Sequence, residues 1–449
     1  MHTKKGRNSY LEGSENLSMK NTFMELREMI KKHHEMFGTS IPLIASENVT
    51  SPAVREAISC DFQHRYAEGW PGERVYAGCK YIDQVELRCM DLAQKYWRAD
   101  FADVRPISGV MANLIAYTAL SKPGDLLMCL EIPDGGHISH NLTSKNVHGL
   151  QIQYLDFNSK EMVVDIDKSS KKIRELKPQI VVLGASVFLF PHPVKELSEV
   201  AHEVGARLMY DAAHVAGLIG SGYFQQPLKE GADIMTLSTH KTFPGPQHGC
   251  ILGNKNEEIH KKIKSAVFPY LQSNHHLHNV AGFAIALTEM LEFGKEYHKY
   301  VIENAKSLAQ ALNERGFTML MEHKGFTESH TILMDITKFG KTVGYGATIE
   351  KLLEDANIIA NRNLIPGDFE AGRRFQDPGG LRMGTSEVTR LGMKRSEMIQ
   401  IAELMKKIVI DRKDPKLVKE EVREFRKQFQ HVKYCFESKT KAYEYLPLK

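Results

Sequence analysis

The sequence predicts an α/β protein, with a mostly parallel central sheet in a large domain and a smaller α+β domain after it. Three observations carry this prediction: short apolar runs typical of buried strands, helical apolar spacing between them, and a change of pattern near residue 310. We expect an N-terminal arm and helix over 1–45, the large domain over 46–309 and the small domain over 310–449. The length of 449 residues suits two or three such units.

Composition and charge exclude several classes of protein. Hydrophobic residues make up 42% and charged residues 25%, as in ordinary globular proteins. The net charge of +4 gives no footprint for nucleic acid or a membrane surface. The six cysteines form no CxxC pair, which favours free thiols over disulfides or zinc. No apolar signal segment or membrane-length run is present. We therefore expect a soluble cytoplasmic protein.

A helix is predicted near the N-terminus, after a polar arm at residues 1–20. Thr22 and Glu25 have the spacing of a capping box. Phe23 and Leu26 begin an apolar stripe along this helix. The stripe can pack on its own chain or on a neighbouring subunit, and the sequence favours neither.

A β-α-β unit is predicted in the middle of the chain. Residues 180–183 form an apolar β-branched run, Leu197 begins helical spacing, and Gly205 stands where a helix ends. Residues 207–210 and 233–237 are the next strands. This order implies parallel strands joined by right-handed crossovers.

Two further helices are expected toward the C-terminus. Val280, Phe283 and Leu287 have the spacing of a long amphipathic helix that leaves the large domain. The charged segment 411–427 is interpreted as a solvated helix face.

Asp211 and Lys241 each follow a predicted strand, so both side chains should face the crevice at the carboxyl edge of the sheet. A lysine held in a cleft has a lowered pKa, which covalent attachment to an aldehyde requires. An aspartate there suits the pyridinium nitrogen of pyridoxal phosphate, whose ring is an electron sink. A surface lysine and an N-cap aspartate are the structural alternatives.

Other polar residues in the large domain have two readings each. Ser108 and Gly109 precede an apolar helix and suit phosphate binding, or a plain N-cap. His137 and His140 suit ring stacking better than metal binding, since no third ligand has metal-like spacing. The histidine-rich run 273–278 is interpreted as a polar loop with no acidic ligand nearby.

Arg382 and the loop at residues 65–78 complete the set. Arg382 lies among glycines, where its planar fork can bind a substrate carboxylate, although a structural arginine has the same pattern. The loop carries Tyr66, Glu68 and Tyr76, which suit acid–base chemistry or an exposed turn.

In this order, the motifs resemble the serine hydroxymethyltransferases, pyridoxal-phosphate enzymes of fold type I, and most closely their archaeal-type branch. The resemblance implies a transferase fold with a mostly parallel sheet. The matching stretches are LIASEN (43–48), RYAEG (65–69), GGHISH (135–140), DAAHVAGLI (211–219), STHKT (238–242) and LRMGT (381–385).

The resemblance also implies how the cofactor is held. Lys241 would bind pyridoxal 5′-phosphate covalently, Asp211 would pair with the ring nitrogen, and His137 would stack on the ring. The other cofactor-binding residues it implies are Ser108, Gly109, Ser186 and His240, with help from residues 268–278 of a second subunit.

Substrate binding follows from the same resemblance. Arg382 and Ser46 would bind the amino-acid carboxylate, His214 would lie near the substrate, and Asn363 would lie near the pterin. No metal is expected. Three residues would come from the partner chain of a homodimer: Glu68 as the acid–base group, with Tyr66 and Tyr76.

The implied activity is the reversible conversion of serine and a reduced pterin to glycine and the methylene-pterin. The carrier is tetrahydrofolate or tetrahydromethanopterin. A pterin-independent aldolase or transaldolase acting on β-hydroxy amino acids is the alternative, and a non-catalytic paralogue is disfavoured because Lys241 and Arg382 are both present. Departures from the bacterial and eukaryotic pattern are Val75, Val110, Pro244, Gln247 and His248.

Overall fold

The structure is a computed structural model that describes residues 18–445, so the predicted N-terminal arm lies largely outside the described residues. In chain order the strands are β1 (Ile41–Pro42), β2 (Gly69–Trp70), β3 (Glu73–Arg74), β4 (Phe101–Asp103), β5 (Leu126–Cys129), β6 (Gln151–Tyr154), β7 (Phe157–Asn158), β8 (Val163–Val164), β9 (Ile180–Leu183), β10 (Arg207–Asp211), β11 (Ile234–Ser238), β12 (Gly249–Gly253), β13 (Thr318–Met319), β14 (Thr331–Asp335), β15 (Ile358–Ile359), β16 (Asn361–Asn363) and β17 (Gly380–Gly384).

The α-helices vary in length from single turns to one of 38 residues. They are α1 (Met19–Thr39), α2 (Pro52–Ile58), α3 (Lys80–Trp97), α4 (Gly109–Leu120), α5 (Ser144–His148), α6 (Ile166–Leu176), α7 (Val194–Glu203), α8 (Ala216–Ser221), α9 (Glu257–Ser265), α10 (Leu277–Glu314), α11 (Gly346–Asp355), α12 (Ser386–Arg390), α13 (Arg395–Val409) and α14 (Pro415–Arg426). Within residues 18–445, no helix combines the length and apolar character needed to cross a bilayer.

Seven strands form the central sheet, in the order β4-β12-β11-β10-β9-β5-β6. Strands β6, β5, β9, β10 and β11 are parallel to one another, whereas β12 runs antiparallel to both β11 and β4. Side chains of β9 alternate between two cores: Val181 packs in one and Val182 in the other. Burial on both faces explains the unbroken apolar run of this strand. The predicted α/β class is confirmed.

The β-α-β unit has the predicted order β9, α7, β10. Gly205 follows α7 with a φ of 81°, a left-handed conformation that glycine adopts without strain. Asp211 ends β10 opposite Thr236 of β11 in parallel register. The carboxyl ends of both strands therefore meet at one edge of the sheet, where ligands bind in such folds.

A second, antiparallel sheet follows the long helix, in the order β13-β14-β17-β16. Arg382 of β17 lies opposite Leu333 of β14 and Asn361 of β16. Helix α10 connects the two parts of the molecule, because its Leu287 packs in the core of the central sheet and its Leu308 in the core of the second.

Helix α1 begins earlier than its capping-box pattern predicts. Its N-cap is Ser18, whose Oγ accepts a hydrogen bond from the backbone N–H of Asn21 at 3.3 Å. The predicted cap at Thr22 is therefore wrong, because Ser18 satisfies the free backbone donors one turn earlier. No side chain of α1 is buried, and Phe23 and Leu26 are each more than half exposed.

The charged segment 411–427 is more than a solvated face. Helix α14 buries Val418 and Val422, and its Arg426 is fully buried. The Arg426 guanidinium donates to the backbone carbonyls of Ser40 and Phe429. The prediction failed for this face because the apolar positions are few and their partners lie far away in the sequence.

Candidate active site

A cavity of about 190 Å³ opens at the carboxyl edge of the central sheet, beyond β10 and β11. The N-terminus of α4 and the segments that follow β5, β9, β10 and β11 form its wall. The seven cofactor-binding residues that the resemblance assigns to the same chain as Lys241 all lie in that wall. The chemically relevant lining residues are Ser108, Gly109, Asn113, His137, Ser186, Asp211, His214, His240 and Lys241.

Asp211 is the anionic group of this cavity and is held by two hydrogen-bond donors, with His140 beside them. Its Oδ1 accepts from the backbone N–H of Ala213 at 2.9 Å. Its Oδ2 accepts from Asn113 Nδ2 at 2.8 Å and lies 3.1 Å from His140 Nε2. Burial opposes ionisation, but the hydrogen bonds and positive charge around the carboxylate lower the pKa of Asp211 well below its usual value. The group is therefore a fixed negative charge at neutral pH.

Lys241 lies three residues beyond the end of β11 and reaches the same cavity. Desolvation lowers the pKa of its ammonium group to about 8, with Asp211 opposing the change and Arg382 adding to it. Asn48 Nδ2 donates to the Lys241 carbonyl at 2.7 Å and to the Tyr297 hydroxyl at 2.9 Å, which fixes the backbone. A large fraction of the amine is thus neutral near pH 8 and able to attack an aldehyde.

The N-terminus of α4 forms the opposite end of the cavity. Ser108 caps the helix, its Oγ accepting from the Met111 N–H at 3.1 Å. A Cβ on Gly109 would lie 2.2 Å from Ser238 Oγ, so a larger residue here would force the Ser238 hydroxyl to turn away. The helix start is an anion-binding position, open to the cavity beside Val110. Together with Asp211 and Lys241, it matches the phosphate, ring nitrogen and aldehyde of pyridoxal phosphate.

His137 is positioned over the cavity by Ser139. The Ser139 backbone N–H donates to His137 Nδ1 at 3.2 Å, and Ser139 Oγ lies 2.7 Å from the same nitrogen. Burial lowers the pKa of His137 to about 4, and the nearby His140 adds to this effect. The ring is therefore neutral at physiological pH, as stacking on a cationic ring requires.

The prediction that His137 and His140 lack a third metal-type ligand is wrong, because Asp211 lies with them. Their ligand atoms fall within 4.8 Å of one another. Asp211 Oδ2 already accepts from Asn113, and His140 Nδ1 lies 2.6 Å from the Tyr117 hydroxyl. We therefore interpret the cluster as a group of side chains that hold Asp211 in place and not as a metal site.

Arg382 projects from β17 toward a larger cavity of about 1000 Å³, which also contains Lys241, Ser46 and His214. Its Nη1 donates to the Ser186 carbonyl at 2.8 Å. Burial lowers the pKa of its guanidinium to about 10. Among the described residues no carboxylate forms an ion pair with Arg382, although the side chain is only 9% exposed. A buried cation of this kind suits an incoming carboxylate.

His214 and His240 are neutral groups in the cavity walls. Burial lowers the pKa of His214 well below its usual value, and that of His240 to about 4. Among the residues that the structure describes, neither Nδ1 atom has a hydrogen-bond partner, which leaves these buried atoms available to a bound molecule. Thr242 Oγ1 donates to the His214 carbonyl at 2.9 Å and holds the loop between the two strands.

Asn363 lines a third cavity, of about 220 Å³, which His137 also lines. Its Nδ2 donates to the Leu364 carbonyl at 2.6 Å. Ser186 lines both this cavity and the two described above. Exposed apolar side chains at Ile138 and Phe375 border it. A flat heterocycle fits such a lining.

The loop at residues 65–78 does not reach these cavities within its own chain. Tyr66 and Tyr76 are 51% and 45% exposed, with ring centroids 5.1 Å apart. Glu68 accepts a hydrogen bond from Ser273 Oγ. Neither tyrosine nor Glu68 lines the three cavities described above.

The segment 273–278 is attached to that loop. Asn274 Oδ1 accepts from the Ala67 N–H at 2.9 Å, and His275 Nε2 lies 2.8 Å from Glu86 Oε2. The prediction that no acidic group lies near these histidines is therefore wrong. Glu86 comes from α3, far away in the sequence, and also pairs with Arg74 at 2.9 Å.

Three asparagines that support the site escaped the sequence analysis. Asn113 holds Asp211, Asn48 holds the Lys241 backbone, and Asn361 Oδ1 lies 3.3 Å from Arg382 Nη2. Asn113 was detectable as the one amide side chain in a largely apolar helix. Asn48 ends the LIASEN stretch, and Asn361 carries no local signal.

Most residues that depart from the bacterial and eukaryotic pattern lie at the edges of the site. Val75 is 64% exposed, and Val110 lines the phosphate end of the cavity. His248 is buried, with its Nε2 2.6 Å from the Val104 carbonyl, and the Gln247 carbonyl accepts from Asn279. His248 therefore has a structural role between β4 and β12.

Comparison with known proteins agrees with this geometry. The sequence profile of the serine hydroxymethyltransferase family matches residues 19–405. A serine hydroxymethyltransferase of Korarchaeum cryptofilum is 57% identical over 94% of this chain and 98% of its own. Those of Nitrosopumilus maritimus and Methanopyrus kandleri are 54% and 51% identical, over 96% and 93% of this chain and 99% and 96% of theirs. The chain belongs to the serine hydroxymethyltransferase family, whose members use pyridoxal 5′-phosphate and a reduced pterin.

Proposed function

We propose that this chain transfers the hydroxymethyl group of L-serine reversibly to a reduced pterin, giving glycine and the methylene-pterin. One observation carries the proposal: Arg382, buried without an ion pair among the described residues, faces the cavity that also contains Lys241. An amino acid bound through its carboxylate to Arg382 places its amine near Lys241. When bound, pyridoxal phosphate supplies an electron sink for the charge that develops at the amino-acid α-carbon.

The residues of the smaller cavity would hold that cofactor. Lys241 attaches it covalently, and the fixed charge of Asp211 keeps a proton on the ring nitrogen. His137 stacks on the ring as a neutral imidazole. Phosphate binding falls to Ser108 and Gly109 at the start of α4, and the remaining contacts to Ser186 and His240.

Substrate orientation would be the work of the larger cavity. Arg382 and Ser46 fix the carboxylate, and the free Nδ1 of His214 faces the bound amino acid. Fixing both the carboxylate and the amine would determine which bond to the α-carbon is positioned for cleavage. Asn363 binds the pterin in the third cavity.

The second half of the site would come from another copy of the chain. The loop with Tyr66, Glu68 and Tyr76 lines none of the three cavities of its own chain, and it is hydrogen-bonded to residues 268–278, the other segment implied to cross between subunits. In a homodimer both segments reach the partner's cavity together. Glu68 then acts as the acid–base group beside the hydroxymethyl carbon, with Tyr66 and Tyr76 around it.

We also propose a cytoplasmic location and the domain division at residues 46 and 310. The six free cysteines support a reducing compartment. The two separate hydrophobic cores, joined by α10, support a large and a small domain.

Serine turnover with and without each carrier tests the proposed function. Purified enzyme is incubated with serine alone, with tetrahydrofolate and with tetrahydromethanopterin, and glycine is measured. We expect glycine to form rapidly with one carrier and to identify that carrier. Equal rates with and without pterin would overturn the proposal in favour of an aldolase.

A further inference from the structure

We propose that Asn113 is a positioning residue for the reaction: its side-chain amide, oriented by Thr236, holds Asp211 toward the cofactor ring nitrogen. The same amide also holds Ser139, the residue that positions the stacking histidine. This inference rests on the proposed function for its consequence, but its geometry stands on the protein alone.

Asn113 lies at the centre of a buried hydrogen-bond network behind the cavity. Its Nδ2 donates to Asp211 Oδ2 at 2.8 Å and to Ser139 Oγ at 2.9 Å. Its Oδ1 accepts from Thr236 Oγ1 at 2.6 Å. Asn113 is 2% exposed, and Ser139 and Thr236 are fully buried. All the polar atoms of the Asn113 side chain are therefore bonded inside the protein, away from water.

The direction of each bond in this network follows from chemistry. An ionised Asp211 can only accept, so the NH₂ group of Asn113 must face it. The Asn113 carbonyl oxygen then faces Thr236, whose hydroxyl must donate. Since Thr236 lies on β11 directly opposite Asp211 of β10, the sheet register sets the relative positions of both partners of Asn113. A flipped amide would place two acceptors together at Asp211.

The second hydrogen bond that Asn113 Nδ2 donates, to Ser139 Oγ, links the support of Asp211 to the support of His137. Ser139 Oγ accepts from Asn113, so its own proton is free to point to His137 Nδ1, 2.7 Å away. The Asn113 amide thus holds Asp211, the partner of the ring nitrogen, and supports His137, the residue that stacks on the ring. A local shift of Asn113 would disturb both groups.

Asn113 is one of several groups that contact the Asp211 carboxylate, so we expect its substitution to reduce activity and not to abolish it. The Ala213 N–H and His140 also contact the carboxylate and remain after substitution. Asn113→Leu keeps much of the side-chain volume but removes both donors and the acceptor. We expect kcat for pterin-dependent serine cleavage to fall about 10- to 100-fold, the effect of one hydrogen bond to a charged group. The KM for serine should change much less, since Arg382 is untouched.

A spectroscopic readout separates positioning from a merely structural role. Holoenzyme is prepared with pyridoxal phosphate labelled with ¹⁵N in the ring, and the ring-nitrogen resonance is recorded at pH 7.5. In the wild-type enzyme we expect the protonated position. In Asn113→Leu the resonance should move toward the unprotonated position, and the cofactor should dissociate more readily.

A matched pair at Thr236 keeps the test decisive if Asn113→Leu does not fold. Thr236→Val removes the hydroxyl that orients the amide, and Thr236→Ser keeps it. We expect Thr236→Val to reproduce the shift of the ring-nitrogen resonance and the loss of kcat in weaker form, and Thr236→Ser to behave like wild type. An unchanged resonance and kcat in both Asn113→Leu and Thr236→Val would overturn the proposal. If the wild-type enzyme cleaves no serine, the proposed function fails instead, whereas the ring-nitrogen result still judges Asn113.

Discussion

Lys241 combines two properties that rarely occur together in a lysine: access to a cavity and a desolvated ammonium group. Its pKa of about 8 follows from burial, with the opposing charge of Asp211 and the like charge of Arg382 as smaller effects. The neutral amine is the reactive form. The chain therefore holds a nucleophile that is partly active near neutral pH.

Covalent capture of pyridoxal phosphate by cofactor-free protein should follow this titration. Because the folded-state pKa of Lys241 is lowered, we expect the capture rate to rise with pH and level off above about pH 8. Stopped-flow absorbance measures it, and Lys241→Arg, which keeps the charge without a reactive amine, should show no capture. A rate that keeps rising up to pH 10.5, the value for an ordinary lysine, would contradict the assigned environment.

Arg382 should determine amino-acid affinity with little effect on the cofactor. In Arg382→Ala we expect serine binding to weaken by about 1.5–3 kcal/mol, since a charge-assisted hydrogen-bonded fork is lost. Arg382→Lys should fall between the two, because it keeps the charge without the planar fork. Equilibrium titration of cofactor absorbance with serine measures these affinities. The same serine affinity in Arg382→Ala and wild type would refute the role.

Residues with a local signal were predictable, and residues defined by distant contacts were not. Lys241 and Asp211 follow strands, and their positions show in the pattern of the sequence. Asn113 matters only because Asp211, 98 positions later, lies against it. The sequence singles out His140 as a candidate. Its contact with Asp211 was not predictable, because that contact depends on the sheet order that brings the ends of β5 and β10 to one edge.

Helix α12 carries a second titratable group beside the larger cavity. Glu387 is buried, and its carboxylate Oε1 accepts from the Tyr443 hydroxyl at 2.6 Å. Burial raises the pKa of Glu387 to about 7, with Tyr443 opposing and Glu47 adding to the rise. The C-terminal segment is therefore fastened to α12 through a carboxyl group that is largely protonated below neutral pH.

This group should make stability depend on pH. A raised folded-state pKa favours the protonated form, so its contribution is full below pH 4.5 and is lost as pH rises through about 7. The difference between these values corresponds to roughly 3 kcal/mol in the free energy of unfolding.

Chemical denaturation at several pH values measures that contribution. Between pH 4.5 and pH 8, wild type should lose stability relative to Glu387→Gln, which stays neutral throughout. The exposed Glu420→Gln is the control and should leave the pH dependence as in wild type. Parallel pH profiles for Glu387→Gln and wild type would show that folding leaves the pKa of Glu387 at its ordinary value, and would contradict this account.

Elements were predictable where the burial pattern is regular. β9 and α10 followed from their apolar spacing, because one is buried on both faces and the other connects two cores. The start of α1 and the buried face of α14 did not follow from the apolar spacing of the sequence. Ser18 competes with Thr22 as a cap, and Arg426 is buried by partners far away in the sequence.

At the scale of the whole molecule, family membership confirms the predicted fold type, enzyme class and cofactors. The motifs were sufficient because several of them occur in one order along the chain. The contacts between two copies of the chain do not follow from the motifs of one chain. The subunit arrangement stays a proposal, and it is the part on which a complete site depends.

Mixing two inactive variants tests a site shared between subunits most directly. Lys241→Ala and Glu68→Gln are each purified, mixed, unfolded and refolded together, and pterin-dependent glycine formation is assayed. If each site takes Lys241 from one chain and Glu68 from the other, half of the dimers are mixed and hold one intact site. We then predict recovery of roughly a quarter of the wild-type activity. No recovery from the mixture, with wild type refolding normally in parallel, would show that both residues act within one chain and would contradict the shared site.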